Sequence, residues 1–423
     1  MINFNSIANI LIILNNELQI NVIGLIVMTL DIRQPSGLPK PNKKENQRSA
    51  KVTEYISEKI KGSGNEIAFS EFMDYALYAE DIGYYDGDLK KFGEDGDFIT
   101  APEETDLMGK AIAKECYKAS DELKNLSLLE FGAGSGSMAV SVLKKLDEMK
   151  VKIQNYYIVD ISKDLIKRQK EKISQELPSM YSRVSWITDI PKNFNGIIIA
   201  NEVVDSMPFE RFKKFNDKLF QVNVGTDKKK LVYKLKEADK EFYNYIKFIE
   251  KQTGSILPNN YISEVSFKAK TWIKNIAENM NKGMLLIIDY GVSRNEYYSQ
   301  MKNRGWLQCY FKHHMHDEPL IFPGIQDITT WVDFSLLAET ALNNGMEVNA
   351  YLNQAQFIMN NGIEEEFEDF ENLNIKDQIT LTKQVKLLTM PDKMGYTFKC
   401  LLLTKNFSSK HEIHHNGDRS YAL

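Results

Sequence analysis

Residues 126–140 read LSLLEFGAGSGSMAV, and this stretch decides the fold class. An apolar run ends at Glu130, and glycines then occupy three alternate positions, Gly132, Gly134 and Gly136. Glycines leave the backbone bare, and the helix that follows directs its N-terminal amides and the positive end of its dipole to the same place. Because ligands of open parallel sheets bind at the carboxyl ends of the strands, the pattern predicts a nucleotide-binding loop.

The spacing of these glycines separates two classes of nucleotide-binding loop. Dinucleotide-binding enzymes favour G-x-G-x-x-G, whereas these glycines follow G-x-G-x-G and Ser137 stands at the next position. The spacing, with an acid two residues before the first glycine, resembles motif I of class I S-adenosyl-L-methionine (SAM) methyltransferases. This resemblance implies that Glu130 accepts a hydrogen bond from the methionine amino group. A glycine-rich turn that binds no ligand is the alternative interpretation.

The composition is that of an ordinary globular protein. The chain has 423 residues, 43% of them hydrophobic and 26% charged, with a formal net charge of -5. This length predicts one large decorated domain or two domains. Because no long basic block is present, bulk electrostatics do not indicate nucleic-acid binding. The three cysteines form no CxxC pair, so they indicate neither a disulfide framework nor a structural zinc site and are consistent with a reducing compartment.

The first thirty residues contain two apolar runs, 7–14 and 20–27, separated by a polar stretch. Neither run is long enough to cross a bilayer. No lysine or arginine precedes Arg33, so the pattern is that of neither a secretory signal nor a mitochondrial presequence. An N-terminal extension and an upstream start codon, with the working start at Met28, are the two interpretations, and we favour the second. We therefore expect a cytoplasmic protein without stable membrane insertion, with the mitochondrial matrix as the alternative location.

After the glycine loop, strands and helices alternate along the chain. Apolar runs such as GIIIA at 196–200 are continuous, which is typical of parallel strands buried on both faces. We therefore predict an α/β fold with a parallel sheet and helices on both faces. Residues 210–259 instead alternate with period two, which predicts an inserted antiparallel hairpin with its turn at 225–228. The predicted elements include strands at 126–131, 156–160, 184–186, 196–200 and 284–289 and helices at 138–149, 163–177 and 334–343.

Composition also divides the chain into parts. Residues 31–50 are rich in Pro, Lys and Asn, which is typical of a linker. The polar C-terminal residues are expected to fray. The predicted parts are 1–50 as an extension and linker without stable structure, 51–125 as an N-terminal helical and lid region, 126–208 with 280–405 as the SAM-binding core, 209–279 as an inserted hairpin and helical subdomain, and 406–423 as a tail.

Two further positions follow strands of the predicted sheet and suit an adenosine ligand. Asp160 ends the second strand, where an acid can bind the ribose hydroxyls. Thr188 and Asp189 follow the third strand and are assigned to the adenine amino group. Each assignment has a simpler alternative, because Asp160 or Ser162 can cap the next helix and Asp189 can form a plain turn.

The fourth strand ends in the richest cluster of polar residues in the chain, NEVVDSMPFERF at 201–212. Asn201, Glu202, Asp205 and Glu210 fall within this segment, at the same sheet edge as the glycine loop. We expect Asn201 to contact the cofactor. The alternative is a solvated loop in which Glu210 forms a surface ion pair with the arginine that follows it.

The segment 313–317, HHMHD, brings three histidines and an aspartate together. Their compact spacing lacks the i, i+4 arrangement of a zincin helix. We therefore favour a polar loop or a wall of the substrate channel over a metal site, and expect no metal.

Seven segments of the chain together resemble one known family. They make the chain similar to the MidA-like SAM-dependent methyltransferases, which include the mitochondrial complex I assembly factor that methylates a subunit arginine. The resemblance spans most of residues 50–405. It implies SAM as the cofactor and a Rossmann-like class I methyltransferase sheet, with an N-terminal helical region and an inserted α+β substrate subdomain. The segments, in family order, are FMDYALYAEDIGYY, KFGEDGDFITAPE, LLEFGAGSGSMA, NEVVDSMPFERF, IIDYG, CYFKHHMHDEPLIFPGIQDITTWVDF and MPDKMGYTFKCL.

The resemblance implies methylation of an arginine side chain in a protein substrate, with a subunit of the respiratory NADH dehydrogenase as the suggested target. By analogy with arginine methyltransferases, Glu202 and Glu210 are expected to hold the guanidinium, with Asp205 in the same loop. Carboxylates can bind a guanidinium bidentately and localise its charge. A SAM methyltransferase that acts on a small molecule, and a non-catalytic assembly factor that retains the fold, are the alternatives. The oligomeric state stays open.

The resemblance also implies that the loop GDFITAPE at 96–103 folds over the cofactor, with Thr100, Pro102 and Glu103 near it. A structural lid without ligand contact is the alternative. Gln326 and Asp327 are expected to border the active site.

Overall fold

A computed structural model describes residues 35–86, 101–123, 125–407 and 416–423 of the chain. The expectations about residues 1–27 and Thr100 lie outside these residues. The described helices are α1 Lys43–Gly62, α2 Phe69–Tyr78, α3 Ala101–Glu104, α4 Leu107–Ser120, α5 Ser137–Glu148, α6 Lys163–Glu176, α7 Lys240–Thr253, α8 Phe267–Asn279, α9 Arg294–Tyr297, α10 Phe334–Asn343, α11 Gln354–Asn360, α12 Ile375–Thr389 and α13 Met394–Thr397.

The described strands form three sheets. In chain order they are β1 Glu66–Ala68, β2 Leu126–Phe131, β3 Ile153–Val159, β4 Val184–Ile187, β5 Phe194–Asn201, β6 Glu210–Phe215, β7 Lys218–Asp227, β8 Lys230–Glu237, β9 Ile262–Val265, β10 Met280–Val292, β11 Gln308–Phe311, β12 His314–His316, β13 Asp327–Thr329, β14 Val332–Asp333, β15 Glu347–Asn353 and β16 Phe398–Lys405.

The largest sheet has eight strands in the order β15-β16-β10-β5-β2-β3-β4, with β14 beside β10. Neighbours from β10 to β4 run parallel, whereas β16 is antiparallel to both β10 and β15. The predicted α/β fold with a parallel central sheet is therefore confirmed. The order of the strands reverses at β2, since β3 and β4 lie on one side of it and β5 and β10 on the other. A ligand crevice is expected at such a point, beyond the carboxyl ends of the strands.

The middle of the central strand β5 is apolar, as expected where helices cover both faces of the sheet. In β5, Ile197 and Ile199 pack into the core under α4 and α5, whereas Ile198 packs into the core under α8 and α10. All three side chains are fully buried. Each such side chain contributes about 1.5–3 kcal/mol relative to exposure, so a polar substitution on either face would disrupt the sheet.

A second, antiparallel sheet has the order β1-β7-β6-β9, with β8 paired to β7. The predicted hairpin is present as β7 and β8, but its turn lies at Lys228 and Lys229 rather than at 225–228. Both lysines have left-handed φ angles, of 44° and 69°. Such angles favour glycine or asparagine in a two-residue turn, so the sequence carries no signal for this position. Helices α1 and α2 pack against this sheet.

Helix α8 departs from the expected division of the chain. It falls inside the segment 209–279 that the sequence assigns to the insertion, yet Ala269, Ile273 and Ile276 pack against the large sheet. A small third sheet, β12-β11-β13, completes the described fold.

Both ends of the described chain are more ordered than the sequence suggests. Helix α1 begins inside the expected linker, because Asn42 and Glu45 form a capping box around its first turn. The expectation that 406–423 frays is wrong for 416–423. There Arg419 N donates to Tyr351 O at 2.8 Å and Tyr351 N donates to the Asp418 carboxylate at 2.9 Å. Among the described residues, no helix is both long and apolar enough to span a bilayer.

Candidate active site

A cavity of about 900 Å³ opens at the carboxyl ends of β2, β3 and β5, where the strand order reverses. One end is lined by the glycine loop and by Asp160. The other end is lined by Glu202, Asp205 and Asp327 together with several tyrosines. We call these the cofactor end and the acceptor end. The volume is within the range of small-molecule sites, about 300–1,000 Å³.

The glycine loop has the backbone that its sequence predicts. Gly132, Gly134 and Gly136 have left-handed φ angles of 61°, 55° and 89°, which L side chains rarely adopt. Gly132 and Gly134 line the cavity. Gly136 instead begins α5 and packs on the next helix, where an added Cβ would lie 3.3 Å from Gln169 Cα. Two of the three glycines therefore form the floor of the cavity, and the third lets two helices approach.

Glu130 lies at the end of β2 and is fully buried. Its Oε2 accepts a hydrogen bond from Tyr156 OH at 2.7 Å, and its Oε1 has no partner within the described part of the chain. Burial raises the pKa of Glu130 to about 7, although the bond from Tyr156 lowers it. An unpartnered buried carboxylate oxygen suits a cationic amino group such as that of methionine. The residues present thus fit the cofactor that the sequence implies.

Asp160 follows β3 and lines the cavity. Its Oδ1 accepts from Ser162 N at 2.9 Å and its Oδ2 from Gln169 Nε2 at 2.7 Å. Helix α6 is capped by Ser162, whose Oγ accepts from Leu165 N. The capping role that the sequence left open between Asp160 and Ser162 therefore belongs to Ser162, and Asp160 stays at the position expected for a ribose ligand.

Pro102 and Glu103 belong to the segment expected to fold over the cofactor, and both line the cavity. Glu103 Oε1 accepts hydrogen bonds from the hydroxyls of Ser135 and Ser137, which belong to the glycine loop and the start of α5. Helix α3 thus closes one side of the cofactor end.

Thr188 and Asp189 do not line the cavity, so its lining gives no support to their assignment to adenine. Both are exposed, and Asp189 Oδ1 accepts from Ile190 N at 2.7 Å and from Asn275 Nδ2 at 3.2 Å. This is the plain turn that the sequence offered as the alternative.

Apolar residues that the sequence did not single out line the cofactor end instead. Ile161, the residue after Asp160, lines the cavity although 63% of its surface is exposed. Phe131 and Trp272 also line it, with their rings edge to face at 5.3 Å. An apolar residue directly after the strand-ending acid is the signal that could have identified Ile161.

Glu202 is the first of the acidic residues at the acceptor end of the cavity. Its backbone is left-handed, with φ 52°, which is uncommon for a residue with a side chain and is typical of functional sites. The turn is held because Glu202 N donates to Ile288 O at 2.9 Å. Asn201, which also lines the cavity, donates from Nδ2 to Glu202 Oε1 at 3.2 Å. Burial and the neighbouring Asp205 raise the pKa of Glu202 to about 8.

Asp205 lies beside Glu202 and is held by two residues of β10. Tyr290 OH donates to Asp205 Oδ2, and Asp289 Oδ2 accepts from the backbone N of both Val204 and Asp205, at 3.0 and 3.2 Å. Asp205 Oδ1 has no partner among the residues described. Burial raises the pKa of Asp205 to about 6. Asp289 was not among the predicted site residues, although it is the last residue of the predicted strand 284–289.

Glu210 does not line the cavity, so the geometry gives no support to its place in the guanidinium clamp. It is the first residue of β6, and its Oε1 accepts from Ser70 Oγ of α2. The alternative, a surface pair with Arg211, is not formed either, because Arg211 is buried and donates from Nε to Glu264 Oε1 at 3.2 Å. Successive residues of a strand point to opposite faces, which separates these two side chains.

Tyrosines complete the acceptor end. The rings of Tyr78 and Tyr85 stack with centroids 5.4 Å apart. Tyr85 OH donates to Asp327 Oδ1 at 2.9 Å, and Asp327 lines the cavity as expected. Gln326 does not, because it is buried behind the wall, with its Nε2 donating to Pro319 O at 2.7 Å.

The histidine segment forms the hairpin β11–β12. His313 and His314 are exposed, whereas His316 is buried and its Nδ1 accepts from Glu318 N at 3.2 Å. Among the described residues, no group of three or more His, Cys, Asp or Glu side chains is placed to hold a metal ion.

Comparisons with known proteins are consistent with this geometry. Residues 108–352 match a family described as "Putative S-adenosyl-L-methionine-dependent methyltransferase". The chain is 26% identical over 409 residues to the Caenorhabditis elegans protein named protein arginine methyltransferase NDUFAF7 homolog, mitochondrial, covering 88% of this chain and 89% of that protein. The protein of the same name from Drosophila melanogaster is 24% identical over 416 residues, covering 90% and 91%. A crystal structure of a Burkholderia thailandensis superfamily member bound to S-adenosyl-homocysteine is 29% identical with a TM-score of 0.85, covering 92% of this chain and 100% of that chain.

Proposed function

Because the chain belongs to this family of S-adenosyl-L-methionine-dependent methyltransferases, we propose that it transfers the methyl group of SAM to an arginine side chain of a protein. The family resemblance and the SAM cofactor that the sequence implied are confirmed. The observation that carries the proposal for arginine is the acceptor end, where Glu202 and Asp205 share one cavity with the glycine loop. The curated relatives, which are named as protein arginine methyltransferases, support it.

The acceptor end suits a guanidinium. This group is planar, cationic and always charged near neutral pH, so a site that binds it needs carboxylates within a desolvated cavity. Glu202 and Asp205 supply them, and Tyr290 fixes the orientation of Asp205 by holding one of its oxygens. We therefore replace the predicted pair of Glu202 and Glu210 by Glu202 and Asp205.

Each residue of the site has a separate task in the reaction. Bound SAM supplies a methyl group on a sulfonium, which is a good leaving group. Glu130 would hold the methionine amino group of the cofactor and Asp160 its ribose, and the cavity excludes water and orients the two reactants. Nitrogen–carbon bond formation leaves a surplus proton on the guanidinium, and Glu202 accepts it. A carboxylate with a pKa of about 8 is a stronger base than an ordinary glutamate and suits this task.

The proposed partner and location of the protein are inferred from its resemblance to the same relatives. The resemblance of the sequence directs the search for the substrate to a subunit of the respiratory NADH dehydrogenase. The relatives' names place those proteins in mitochondria, and they give no support to the cytoplasmic location expected from the sequence. We therefore propose the mitochondrial matrix, which fractionation of the native cells would test.

Labelled SAM tests the proposed reaction. The purified chain is incubated with methyl-labelled SAM and an organelle lysate, and proteins are analysed by mass spectrometry for methylated arginine. Methylarginine that depends on the wild-type chain and is absent with Glu202→Gln supports the proposal. Label only in small molecules contradicts it in favour of a small-molecule methyltransferase. Binding of SAM without transfer to any acceptor favours a non-catalytic assembly factor.

A further inference from the structure

Gln169 is a buried polar residue at an apolar position of α6. It lies on the inward face of this helix, one turn after Leu165 and one turn before Ile173. Its exposed fraction is 0%. Burying an amide costs free energy unless its oxygen and its nitrogen are both hydrogen-bonded, so the partners of Gln169 show what this glutamine does.

The partners of Gln169 come from three different parts of the cofactor end. Trp186 Nε1 of β4 donates to Gln169 Oε1 at 2.9 Å. Gln169 Nε2 donates to Gly134 O of the glycine loop at 2.9 Å and to Asp160 Oδ2 at 2.7 Å. One side chain therefore ties together the glycine loop, the acid after β3 and the strand β4.

The identity of these partners fixes the orientation of the amide. An indole nitrogen can only donate, and a carbonyl or carboxylate oxygen can only accept. Trp186 must therefore face Oε1, and both protons of Nε2 are left for Gly134 O and Asp160. No other orientation satisfies all three groups. Gly136 adds to the constraint, because its bare Cα packs directly against Gln169.

We propose that Gln169 is the positioning residue for the nucleoside half of the cofactor. Oriented by Trp186, it holds the Asp160 carboxylate and the Gly134 carbonyl in one fixed arrangement, so that the ribose hydroxyls meet a preset acceptor. Preset groups lose less entropy when a ligand binds. This inference rests on the proposed assignment of Asp160 to the ribose, and it concerns cofactor recognition alone.

The test compares two ligands and two variants by calorimetry in the absence of any methyl acceptor. The ligands are S-adenosylhomocysteine and its 2′-deoxyribose analogue. The wild-type protein is expected to prefer the ligand with the hydroxyl. In Gln169→Leu, which keeps the size of the side chain, the Asp160 carboxylate is no longer held. This preference should then fall by about tenfold, equivalent to about 1.4 kcal/mol.

Trp186→Phe is the milder variant, because it removes only the indole donor and keeps an aromatic ring beside Tyr181. It should reduce the same preference by a smaller factor. Gln354→Leu is the matched control, since Gln354 is equally buried and donates from Nε2 to Leu388 O at 3.0 Å, away from the cavity. That variant should lose thermal stability and keep the wild-type preference.

Three outcomes are decisive. A reduced preference in Gln169→Leu with an unchanged one in Gln354→Leu supports the proposal, because a general loss of stability would affect both ligands alike. An unchanged preference in Gln169→Leu, or in Trp186→Phe if the leucine variant does not fold, overturns it. A wild-type protein that binds both ligands equally overturns the ribose assignment and the inference with it, whereas the proposed arginine methylation would fail only in the transfer assay.

Discussion

The two ends of the cavity are built in different ways. The cofactor end is mostly backbone and short-range contact: Gly132 and Gly134 expose bare main chain, and Asp160 follows its strand directly. The acceptor end is made of side chains from distant segments, among them Tyr85, Asp205 and Asp327. The site proposed for a cofactor common to many enzymes is therefore a local motif, whereas the proposed acceptor site is a charge arrangement that only the tertiary fold assembles.

The electrostatics of the two ends differ as well. At the cofactor end, Glu130 is the fully buried acid, and a tyrosine satisfies one of its oxygens. At the acceptor end, Asp205 raises the pKa of both Glu202 and Asp289, and Glu202 also raises the pKa of Asp289. Like charges in a desolvated site favour protonation. A cation that enters this end relieves the repulsion, so acceptor binding and deprotonation should be coupled.

The sharpest way to separate the two ends is Glu202→Gln. The amide keeps the size of the side chain and can still accept from Asn201, but it carries no charge and cannot accept a proton. We expect kcat for methyl transfer to fall by about 10²–10³-fold, as for loss of one group that stabilises the transition state. The dissociation constant for S-adenosylhomocysteine should stay within about twofold, because no contact at the cofactor end changes. Equal losses of kcat and of affinity for S-adenosylhomocysteine would show that the two ends of the cavity do not act independently.

Glu130→Gln should give the opposite pattern. Its amide can still accept from Tyr156, but it no longer offers a carboxylate to the methionine amino group. A hydrogen bond to a charged group contributes about 1.5–3 kcal/mol, so the KM for SAM should rise by about 10- to 100-fold. At saturating SAM, kcat should change by less than about threefold. A loss confined to kcat would contradict the assignment of Glu130 to the cofactor.

The sequence predicts the cofactor end and the central sheet well because their signals are local. An apolar run that enters a glycine turn, as at 126–140, has few other structures open to it. Strands such as β5 and the helix at 334–343 are likewise recognised from continuous or periodic burial. Glu130, Asp160 and Glu202 line the cavity because each lies at or just beyond the carboxyl end of a buried parallel strand. Their individual roles stay predictions.

Features that depend on tertiary contact were missed or misplaced. Glu210 is close to Glu202 in sequence, but β6 directs its side chain toward Ser70 of α2. In the sequence, Gln169 has the pattern of an ordinary polar residue of an amphipathic helix. Its hydrogen bonds with Trp186 of β4 and with the glycine loop are visible only in the structure. The turn at Lys228 and Lys229 lacks the glycine that usually marks such a position.

At saturating SAM, the pH dependence of transfer should report on the acceptor end. Glu202 must be deprotonated to bind the guanidinium and accept its proton, and its pKa is raised to about 8. We therefore expect kcat/KM for the acceptor to fall by about tenfold per pH unit below about 8 and to level off above it. The affinity for S-adenosylhomocysteine should fall only at lower pH, because burial raises the pKa of Glu130, which is proposed to bind the methionine amino group, to about 7. A transfer rate that stays constant from about pH 6 to about pH 8.5 would contradict a role for Glu202 as the proton acceptor.

The smallest effect is expected for Glu210→Gln, which serves as the matched control for Glu202→Gln. Both carboxyl groups come from the segment that follows β5, but Glu210 accepts from Ser70 outside the cavity. Glutamine can still accept that hydrogen bond, so both kcat and the affinity for S-adenosylhomocysteine should stay within about twofold of wild type, as is usual for substitutions away from a functional site. A loss approaching that of Glu202→Gln would mean that the loop rearranges when the acceptor binds, and it would restore the two-glutamate clamp that the sequence suggests.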